Sequence, residues 1–236
     1  MINLFVTSDK QGAGKTYISA GIAATMQSLG YSMGYFKPIQ TGAQIRSGFA
    51  VSRDVAFVKS IDPFVSTNIS YSLKEDFIPL IAAEVEGIKI DSQTVIQDYL
   101  KLRKNSEIIL TESCGGILTP ISPDLTFLDI IKTMKMSILI VSEFGSDALE
   151  NILLTVSTAK LNGIDVRGVI LNKFISSFDE NAKRLPMLIE KYANVPILGI
   201  VPFGSDYDVA PSELIDTILH SVDLEGIFGI KIPKIN

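Results

Sequence analysis

The chain has 236 residues, of which 47% are hydrophobic, and acidic residues outnumber basic ones by 26 to 21. This size and apolar share predict a single domain over residues 1–236, and the scattered lysines and arginines make duplex nucleic acid an unexpected partner. The lone cysteine, Cys114, and the lone histidine, His220, exclude an intramolecular disulfide and argue against a thiolate–imidazole zinc site or a His-dependent nucleophilic triad.

Short apolar runs of strand length alternate with helical patterns along the chain. The candidate strands are Ile2–Val6, Ser32–Phe36, Ile108–Thr111, Ser137–Val141, Gly168–Leu171 and Ile197–Val201. The candidate helices are Lys15–Leu29, Ser92–Arg103, Phe127–Met134, Ala148–Leu161, Glu180–Tyr192 and Ser212–Ile218. Gly30 is placed to end the first helix, and Pro186 should kink or restart the fifth.

Continuous rather than alternating apolarity predicts strands that are buried on both faces, as in a mostly parallel sheet. The order of the elements therefore indicates an α/β fold of the P-loop NTPase type, doubly wound with helices on both faces of the sheet. No apolar stretch approaches the roughly 18 residues needed to span a bilayer, and the first residues do not form a basic segment followed by a long apolar one. We expect a cytosolic protein without a membrane partner.

A phosphate-binding loop follows the first strand. The segment Ser8-Asp9-Lys10-Gln11-Gly12-Ala13-Gly14-Lys15-Thr16 leads directly into the first helix. Glycines at 12 and 14 allow backbone N–H groups to turn toward phosphate oxygens at the helix N-terminus. Lys15 would reach the β- and γ-phosphates, and Thr16 would offer its hydroxyl to Mg²⁺. Although Asp9 stands where this motif usually has its first glycine, the segment predicts binding of Mg-ATP.

Three further charged residues are placed for phosphate chemistry. Glu112 follows the strand Ile108–Thr111 like the acid that supports Mg²⁺ in such proteins, although a surface carboxylate is the alternative. Lys37 follows the second strand, where Pro38 fixes the backbone, and its ammonium could neutralise charge on a transferring phosphoryl group, but alone it fits an ordinary exposed lysine as well. Asp54 is either a second metal carboxylate or an acid at a helix N-terminus.

Together these segments resemble the dethiobiotin synthetase family. The matching segments are Gly14-Lys15-Thr16, Lys37-Pro38-Ile39-Gln40-Thr41-Gly42, Asp54, Glu112-Ser113-Cys114-Gly115-Gly116 and Thr119-Pro120. Asn172 and Pro202-Phe203-Gly204 are similar to the adenine-contacting segments of that family. Its members form a ureido ring from 7,8-diaminopelargonate, CO₂ and ATP, through a carbamate that attacks the γ-phosphate and is then displaced by the neighbouring amine. The products are dethiobiotin, ADP and phosphate.

The resemblance implies a role for each matching residue. Lys15 and Lys37 would be catalytic, Gln11 and Thr41 would contact the substrate, and Thr16, Asp54 and Glu112 would bind Mg²⁺. The implied nucleotide-binding residues are Gly12, Ala13, Gly14, Lys15, Thr16, Tyr17, Asp54, Glu112, Ser113, Cys114, Gly115, Asn172, Lys173, Pro202, Phe203 and Gly204. The resemblance also implies a homodimer in which the partner subunit helps to close the substrate site.

The chain departs from that family in two places. The family loop usually reads Thr-Asp-Thr-(Gly or Glu)-Val-Gly-Lys-Thr, whereas here Asp9-Lys10-Gln11-Gly12-Ala13 precede Gly14, and Gln11 replaces a threonine that touches substrate. In addition, Asp147 lies within Gly145–Asn151, where the family has a helix N-terminus that receives the substrate carboxylate. A carboxylate side chain there would oppose an incoming anion.

Lys10 supports a second interpretation, because the partition and septum-site ATPases carry an additional loop lysine that contacts phosphate across a dimer. Those proteins have an aspartate in place of Glu112 and lack the Lys37–Gly42 segment. A membrane-binding C-terminal helix, which would favour this interpretation, is hard to build over Phe228–Asn236 with Gly229 and Pro233. An amidase-linked synthetase would need a glutaminase domain for which this chain is too short, and a domain that has lost its activity would not be expected to keep all the charged site residues.

Overall fold

The computed structural model describes residues 2–175, 182–204 and 208–232. Its strands are β1 (Ile2–Ser8), β2 (Met33–Gln40), β3 (Gln44–Arg46), β4 (Phe49–Val51), β5 (Ser66–Ser72), β6 (Ile108–Glu112), β7 (Pro120–Ser122), β8 (Leu125–Thr126), β9 (Ser137–Glu143), β10 (Val166–Phe174) and β11 (Ile197–Pro202). Its helices are α1 (Lys15–Ser28), α2 (Arg53–Ile61), α3 (Pro79–Glu86), α4 (Ser92–Arg103), α5 (Phe127–Thr133), α6 (Ala148–Leu161), α7 (Leu185–Ala193), α8 (Pro211–Ser221) and α9 (Leu224–Phe228).

Within these residues, seven strands form one parallel sheet in the order β11-β10-β9-β1-β6-β2-β5. From β1 the chain passes to β2 and then outward to the edge strand β5, and it returns to β6 beside β1. On the other side of β1 it runs outward through β9, β10 and β11. The order reverses at β1, and ligands of such sheets bind beyond the carboxyl ends of the strands at this reversal. The predicted doubly wound α/β fold is confirmed.

Side chains of β1 enter hydrophobic cores on both faces of the sheet. Phe5 belongs to the core that lies beneath α4, α5 and α6, whereas Leu4 and Val6 belong to the core that lies beneath α1 and α8. All three are at most 1% exposed. Burial on both faces explains why the central strands are continuously apolar in sequence.

Helix α1 is buried over most of its circumference, because it lies against the sheet and also contacts α2 and α8. It ends in a Schellman motif, in which the N–H groups of Gly30 and Tyr31 donate to the carbonyls of Gln27 and Met26. Gly30 adopts a φ of 94°, which confirms its predicted place at the end of the helix. The last carbonyl groups of α1 are thereby hydrogen-bonded.

Two features of the sheet differ from the sequence prediction. The edge strand β5 was missed because Ser66–Ser72 is mostly polar and half-buried, so it has no apolar run. Strand β2 is longer than predicted, so Lys37 and Pro38 lie inside it rather than after it. The strand continues through Pro38 because its ladder with β6 stops at Phe36, and the missing N–H of the proline breaks no ladder on that side.

The helices follow the prediction closely where the apolar pattern is strong. Helices α4 and α6 have the predicted bounds, and α7 restarts with Pro186 in its first turn, after a 3₁₀ turn at Ala182–Arg184. The start of the predicted helix Glu180–Tyr192 lies outside the described residues. Helices α3 and α9 and the hairpins β3–β4 and β7–β8 were not predicted, and for α2 the sequence offered only a helix N-terminus at Asp54. In the described ranges, no helix combines the length and the apolar character needed to cross a bilayer.

Candidate functional site

A cavity of about 380 Å³ opens at the carboxyl ends of β1, β2 and β6. Most of its lining residues come from the phosphate loop and α1, from the end of β2 and the start of α2, and from the end of β6 and the segment after it, while Asp76 follows β5 and Lys173 lies in β10. They are Gln11, Gly12, Gly14, Lys15, Thr16, Tyr17, Lys37, Gln40, Thr41, Arg53, Asp54, Asp76, Glu112, Ser113, Cys114 and Lys173. Three segments far apart in the chain therefore meet at one edge of the sheet.

The glycines of the phosphate loop adopt the positive φ values of a tight turn before the helix. Gly12 and Gly14 have φ values of 77° and 89°, and α1 begins at Lys15. The Lys15 ammonium donates to the Ser8 hydroxyl at 2.9 Å. Burial and the neighbouring charge of Lys37 lower the pKa of Lys15. The helix N-terminus and Lys15 together form a site that favours an anion.

Two residues of β10 support the loop from behind. Asn172 donates its side-chain N–H to the carbonyl of Ala13 at 2.9 Å, and the Lys173 ammonium donates to the carbonyl of Gly12 at 2.8 Å. A Cβ on Gly14 would lie 2.1 Å from Asn172 Nδ2, so only glycine allows this close contact. Asn172 is buried and does not line the cavity. The contact shows support of the loop, and recognition of adenine by Asn172 stays a prediction.

A buried cluster of charged residues lies beside the end of the loop. The Lys37 ammonium is 2.8 Å from Glu112 Oε1 and 2.5 Å from Asp54 Oδ2, and the Thr16 hydroxyl donates to the same Glu112 oxygen at 2.8 Å. Burial disfavours the charge on Lys37, but Glu112 and Asp54 outweigh it and hold the pKa of Lys37 above its ordinary value. Lys37 is therefore a cation, and it is not the exposed lysine that the sequence left open.

The second carboxylate oxygen of Glu112, Oε2, is buried and has no hydrogen-bond partner among the described residues. A hard cation such as Mg²⁺ would satisfy an oxygen of this kind. Two further oxygen donors, the Thr16 hydroxyl and the Asp54 carboxylate, lie close to the Lys37–Glu112 ion pair. Asp54 also lies in the first turn of α2, as its helix N-terminal interpretation predicts, and its role as a metal ligand stays a prediction.

Asp54 is positioned through Gln40, a buried residue at the end of β2. Gln40 Oε1 accepts from the Ser52 hydroxyl at 2.7 Å and from the Asp54 backbone N–H at 3.4 Å, while Gln40 Nε2 donates to the Thr41 carbonyl at 2.9 Å. Ser52 in turn caps α2 by accepting from the Val55 N–H. Gln40 lies in the Lys37–Gly42 segment, but the sequence alone gives it no role, because its partners are fixed only by the fold.

Only some of the predicted nucleotide-binding residues line the cavity. Those that do not line the cavity are Ala13, Gly115, Asn172, Pro202, Phe203 and Gly204. Gly204 lies beside Tyr17, since a Cβ on Gly204 would be 2.9 Å from the Tyr17 hydroxyl, whereas the Phe203 side chain is exposed. Gln11 and Thr41, the predicted substrate contacts, both line the cavity. Arg53 and Asp76 line it too, and the sequence analysis did not single them out.

Lys10 lies in an ion-pair network at the side of the loop. Its ammonium is 3.1 Å from Asp147 Oδ2 and 3.7 Å from Glu143 Oε2. The hydrogen bond from Lys10 lowers the pKa of Asp147. Asp147, which was expected to oppose an incoming anion, thus has its charge matched by a residue of the same chain. The same contact occupies Lys10, which the alternative interpretation requires to be free for a partner subunit.

The sequence has relatives with assigned names. A family model described as an AAA domain matches residues 3–210. The ATP-dependent dethiobiotin synthetase BioD of Bacillus velezensis is 32% identical, and the match covers 86% of this chain and 87% of that protein. The BioD protein of Methanococcus vannielii is 30% identical over 86% of this chain and 95% of its own length. This chain is an AAA domain protein of the dethiobiotin synthetase family.

Solved structures agree with the fold of this dethiobiotin synthetase family member. A chain of the MinC:MinD cell division protein complex from Aquifex aeolicus has a TM-score of 0.58 at 18% identity, covering 100% of this chain and 99% of its own. FtsY from Mycoplasma mycoides has a TM-score of 0.52 at 20% identity, covering 93% of this chain and 69% of its own. At such identities the likeness shows a P-loop fold alone.

Proposed function

We propose that this chain is an ATP-dependent ring-closing ligase that converts 7,8-diaminopelargonate and CO₂ to dethiobiotin, with release of ADP and phosphate. The observation that carries the proposal is the convergence of Lys15, Lys37 and Glu112 on one cavity at the edge of the sheet. Family membership adds the identity of the substrates, since the relatives named above are ATP-dependent dethiobiotin synthetases.

The reaction begins when one amine of the diamine adds to CO₂ and loses a proton, which gives a carbamate. A carbamate oxygen then attacks the γ-phosphorus, and the bond from that phosphorus to the bridging oxygen of ADP breaks. The neighbouring amine attacks the carbamate carbon of this mixed anhydride, phosphate leaves, and the second amine proton is lost as the ring closes. The reacting groups are neutral amines, CO₂, a carbamate anion and phosphate anions, and they must meet in one site. The protein therefore has to position them and to supply positive charge.

The site residues meet these demands without a histidine. His220 lies on α8, where its ring contacts the Asp216 carbonyl, and it does not line the cavity. Lys15 is placed at the start of α1 to hold the β- and γ-phosphates. Lys37 lies on β2 of the same sheet and would stabilise the negative charge that gathers on the transferring phosphoryl group.

Mg²⁺ fits the donors of this site. The Thr16 hydroxyl and the carboxylates of Asp54 and Glu112 are hard oxygen donors, and Glu112 Oε2 lacks a partner among the described residues. When bound with ATP, the cation would neutralise phosphate charge. The chain itself would position the phosphates through its loop and keep Lys37 between its two carboxylates. We also infer a single domain, as the chain length and apolar share predict, a cytosolic location and, as the family resemblance implies, a homodimer.

The test is the formation of dethiobiotin, measured by mass, together with release of phosphate. Both should require diaminopelargonate and bicarbonate in addition to Mg-ATP, and omission of either should reduce phosphate release to background. Phosphate release that is indifferent to both, together with ATP-dependent dimerisation, would instead support a dimeric P-loop switch.

A further inference from the structure

An arginine and an aspartate meet on the wall of the cavity. Arg53, the first residue of α2, and Asp76 both line the cavity near Thr41. Arg53 Nη2 lies 3.9 Å from Asp76 Oδ2, and the two side chains are 50% and 66% exposed. This ion pair is long and solvated, so it holds Arg53 weakly.

The backbone beneath this pair is fixed. Gly42 has a φ of 64°, and a Cβ there would lie 2.8 Å from Asp76 Oδ1 and 3.0 Å from Arg53 Nη2. The Gly42 N–H donates to the Glu75 carbonyl at 3.0 Å, and the Ala43 N–H donates to the Leu73 carbonyl at 2.9 Å. The glycine thus lets both side chains approach the cavity wall, and the hydrogen bonds hold the segment that bears Asp76 against the end of β2.

Arg53 differs from the other cations that line the cavity. Lys37 is paired with two carboxylates, Lys15 with the Ser8 hydroxyl, and Lys173 with the Gly12 carbonyl. Within the described residues, the contact of the Arg53 guanidinium with Asp76 is much longer, at 3.9 Å. Its planar fork matches a carboxylate in two parallel hydrogen bonds. It is therefore suited to hold an anionic group of a ligand rather than to balance a protein charge.

The start of α6 is poorly suited to the same task. Asp147 is the N-cap residue of α6, and its carboxylate and the Lys10 ammonium form a contact of 3.1 Å there. A carboxylate ligand at this position would have to displace Asp147 from Lys10 or lie beside it. Within the described part of this chain, Arg53 is the cavity cation that an anion can reach at lower cost.

We propose that Arg53 binds the carboxylate of the diamino acid substrate, an assignment that rests on the proposed function. The two amines then lie toward Thr41 and Lys37, and the aliphatic chain runs along the cavity wall to the guanidinium. Asp76 holds Arg53 while the substrate is absent and gives it up to the substrate carboxylate. Arg53 is thereby a specificity-determining residue and takes no part in phosphoryl transfer.

The experiment compares the wild-type chain with Arg53→Gln, Arg53→Lys and Asp76→Asn, using diaminopelargonate and its methyl ester as substrates. Arg53→Gln should raise the KM for the acid by about tenfold or more, with kcat and the KM for ATP within about twofold, because a charge-assisted hydrogen-bonded pair is lost. The ester should show the same KM with the wild type and with Arg53→Gln. Arg53→Lys should fall between the two, and Asp76→Asn should leave the KM for the acid equal or lower.

Arg167→Gln is a matched control, because Arg167 is near the start of β10, at the opposite end of the strands, and pairs with Asp165. It should leave the KM unchanged, and thermal melts of all variants should show that they are folded. An unchanged KM for the acid in Arg53→Gln, or an equal rise for acid and ester, would overturn the assignment while dethiobiotin formation by the wild type still held. No dethiobiotin from the wild type would contradict the proposed function and this assignment with it.

Discussion

Lys37 and Glu112 form an ion pair of 2.8 Å whose side chains are 1% and 0% exposed. Asp54 contacts the same ammonium, so one cation lies between two carboxylates inside the fold. Such a group is stable only while its charges are matched, because removing one partner leaves an uncompensated buried charge. The cluster therefore connects the stability of the protein to its chemistry.

Lys37→Met should lower turnover by about 100-fold or more, because the charge that stabilises the transferring phosphoryl group is lost. Affinity for ATP should change little, since Lys15 and the backbone of the loop remain. Phosphate release and binding of a non-hydrolysable ATP analogue measure the two quantities separately. Turnover close to that of the wild type would remove Lys37 from the mechanism.

The same substitution should also destabilise the protein. Lys37→Met leaves Glu112 buried without its cation, and we expect a loss of about 3–5 kcal/mol in the free energy of unfolding. Adding Glu112→Gln should return part of this loss, because a neutral amide is cheaper to bury than a carboxylate. Urea unfolding without nucleotide measures the four members of this double-mutant cycle. Losses that simply add within about 0.5 kcal/mol would show that the two residues are not coupled.

The sequence indicates this cluster only in part. Glu112 and Lys37 follow apolar runs that could be read as parallel strands, so their presence at one edge of the sheet was predictable. Their contact was not, because it depends on β6 lying beside β2, which is a long-range pairing. The strand β5 was missed for a related reason, since its polar residues are explained by the edge position and not by an apolar pattern. Gln40 lies within the Lys37–Gly42 segment and Arg53 directly precedes Asp54, yet only the fold shows what they contact.

Gly14→Ala should abolish nucleotide binding, whereas Gly12→Ala should weaken it far less. Both glycines have positive φ, so each substitution strains the backbone by about 1 kcal/mol. Only at Gly14 does the new methyl group also meet a neighbour, Asn172, at 2.1 Å, while at Gly12 nothing lies within 4 Å. Titration with a fluorescent ATP analogue compares the two variants.

Gly12→Ala is the matched control for backbone strain. Asn172→Ala, added to Gly14→Ala, removes the atom that clashes and should restore part of the binding. If both glycine variants bind ATP equally, strain alone decides the outcome and the contact with Asn172 has no effect on the loop.

Cys114 should react unusually slowly with thiol reagents. Burial raises the pKa of its thiol from an ordinary value of 9.0 to about 11, in spite of nearby Lys37 and Lys15. At pH 8 the thiolate fraction is then about 100-fold smaller than for an unperturbed cysteine. Alkylation by iodoacetamide should therefore keep rising up to about pH 11, and Mg-ATP should slow it because Cys114 lines the cavity. A rate that levels off near pH 9 in the folded protein would contradict the raised pKa.

Gln40→Leu should raise the Mg²⁺ concentration required for half-maximal activity. Leucine fills similar volume but cannot accept from the Ser52 hydroxyl and the Asp54 N–H, so the start of α2 loses its tie to β2. The buried Ser52 hydroxyl is then left without this acceptor, at a cost of about 1–3 kcal/mol in the free energy of unfolding. At saturating Mg²⁺, the KM for ATP should be close to that of the wild type, because the phosphate loop is untouched.

Two further variants separate positioning from simple destabilisation. Ser52→Ala removes one partner of Gln40 and the cap of α2 but leaves the contact between Gln40 and the Asp54 N–H, so it should destabilise the fold with a smaller change in the Mg²⁺ requirement. Gln93→Leu, at an exposed position in the first turn of α4, should change neither quantity. A carboxylate that has lost its supporting hydrogen bond should bind the cation less tightly. If Gln40→Leu lowers stability but leaves the Mg²⁺ requirement unchanged, Gln40 stabilises the fold without positioning Asp54.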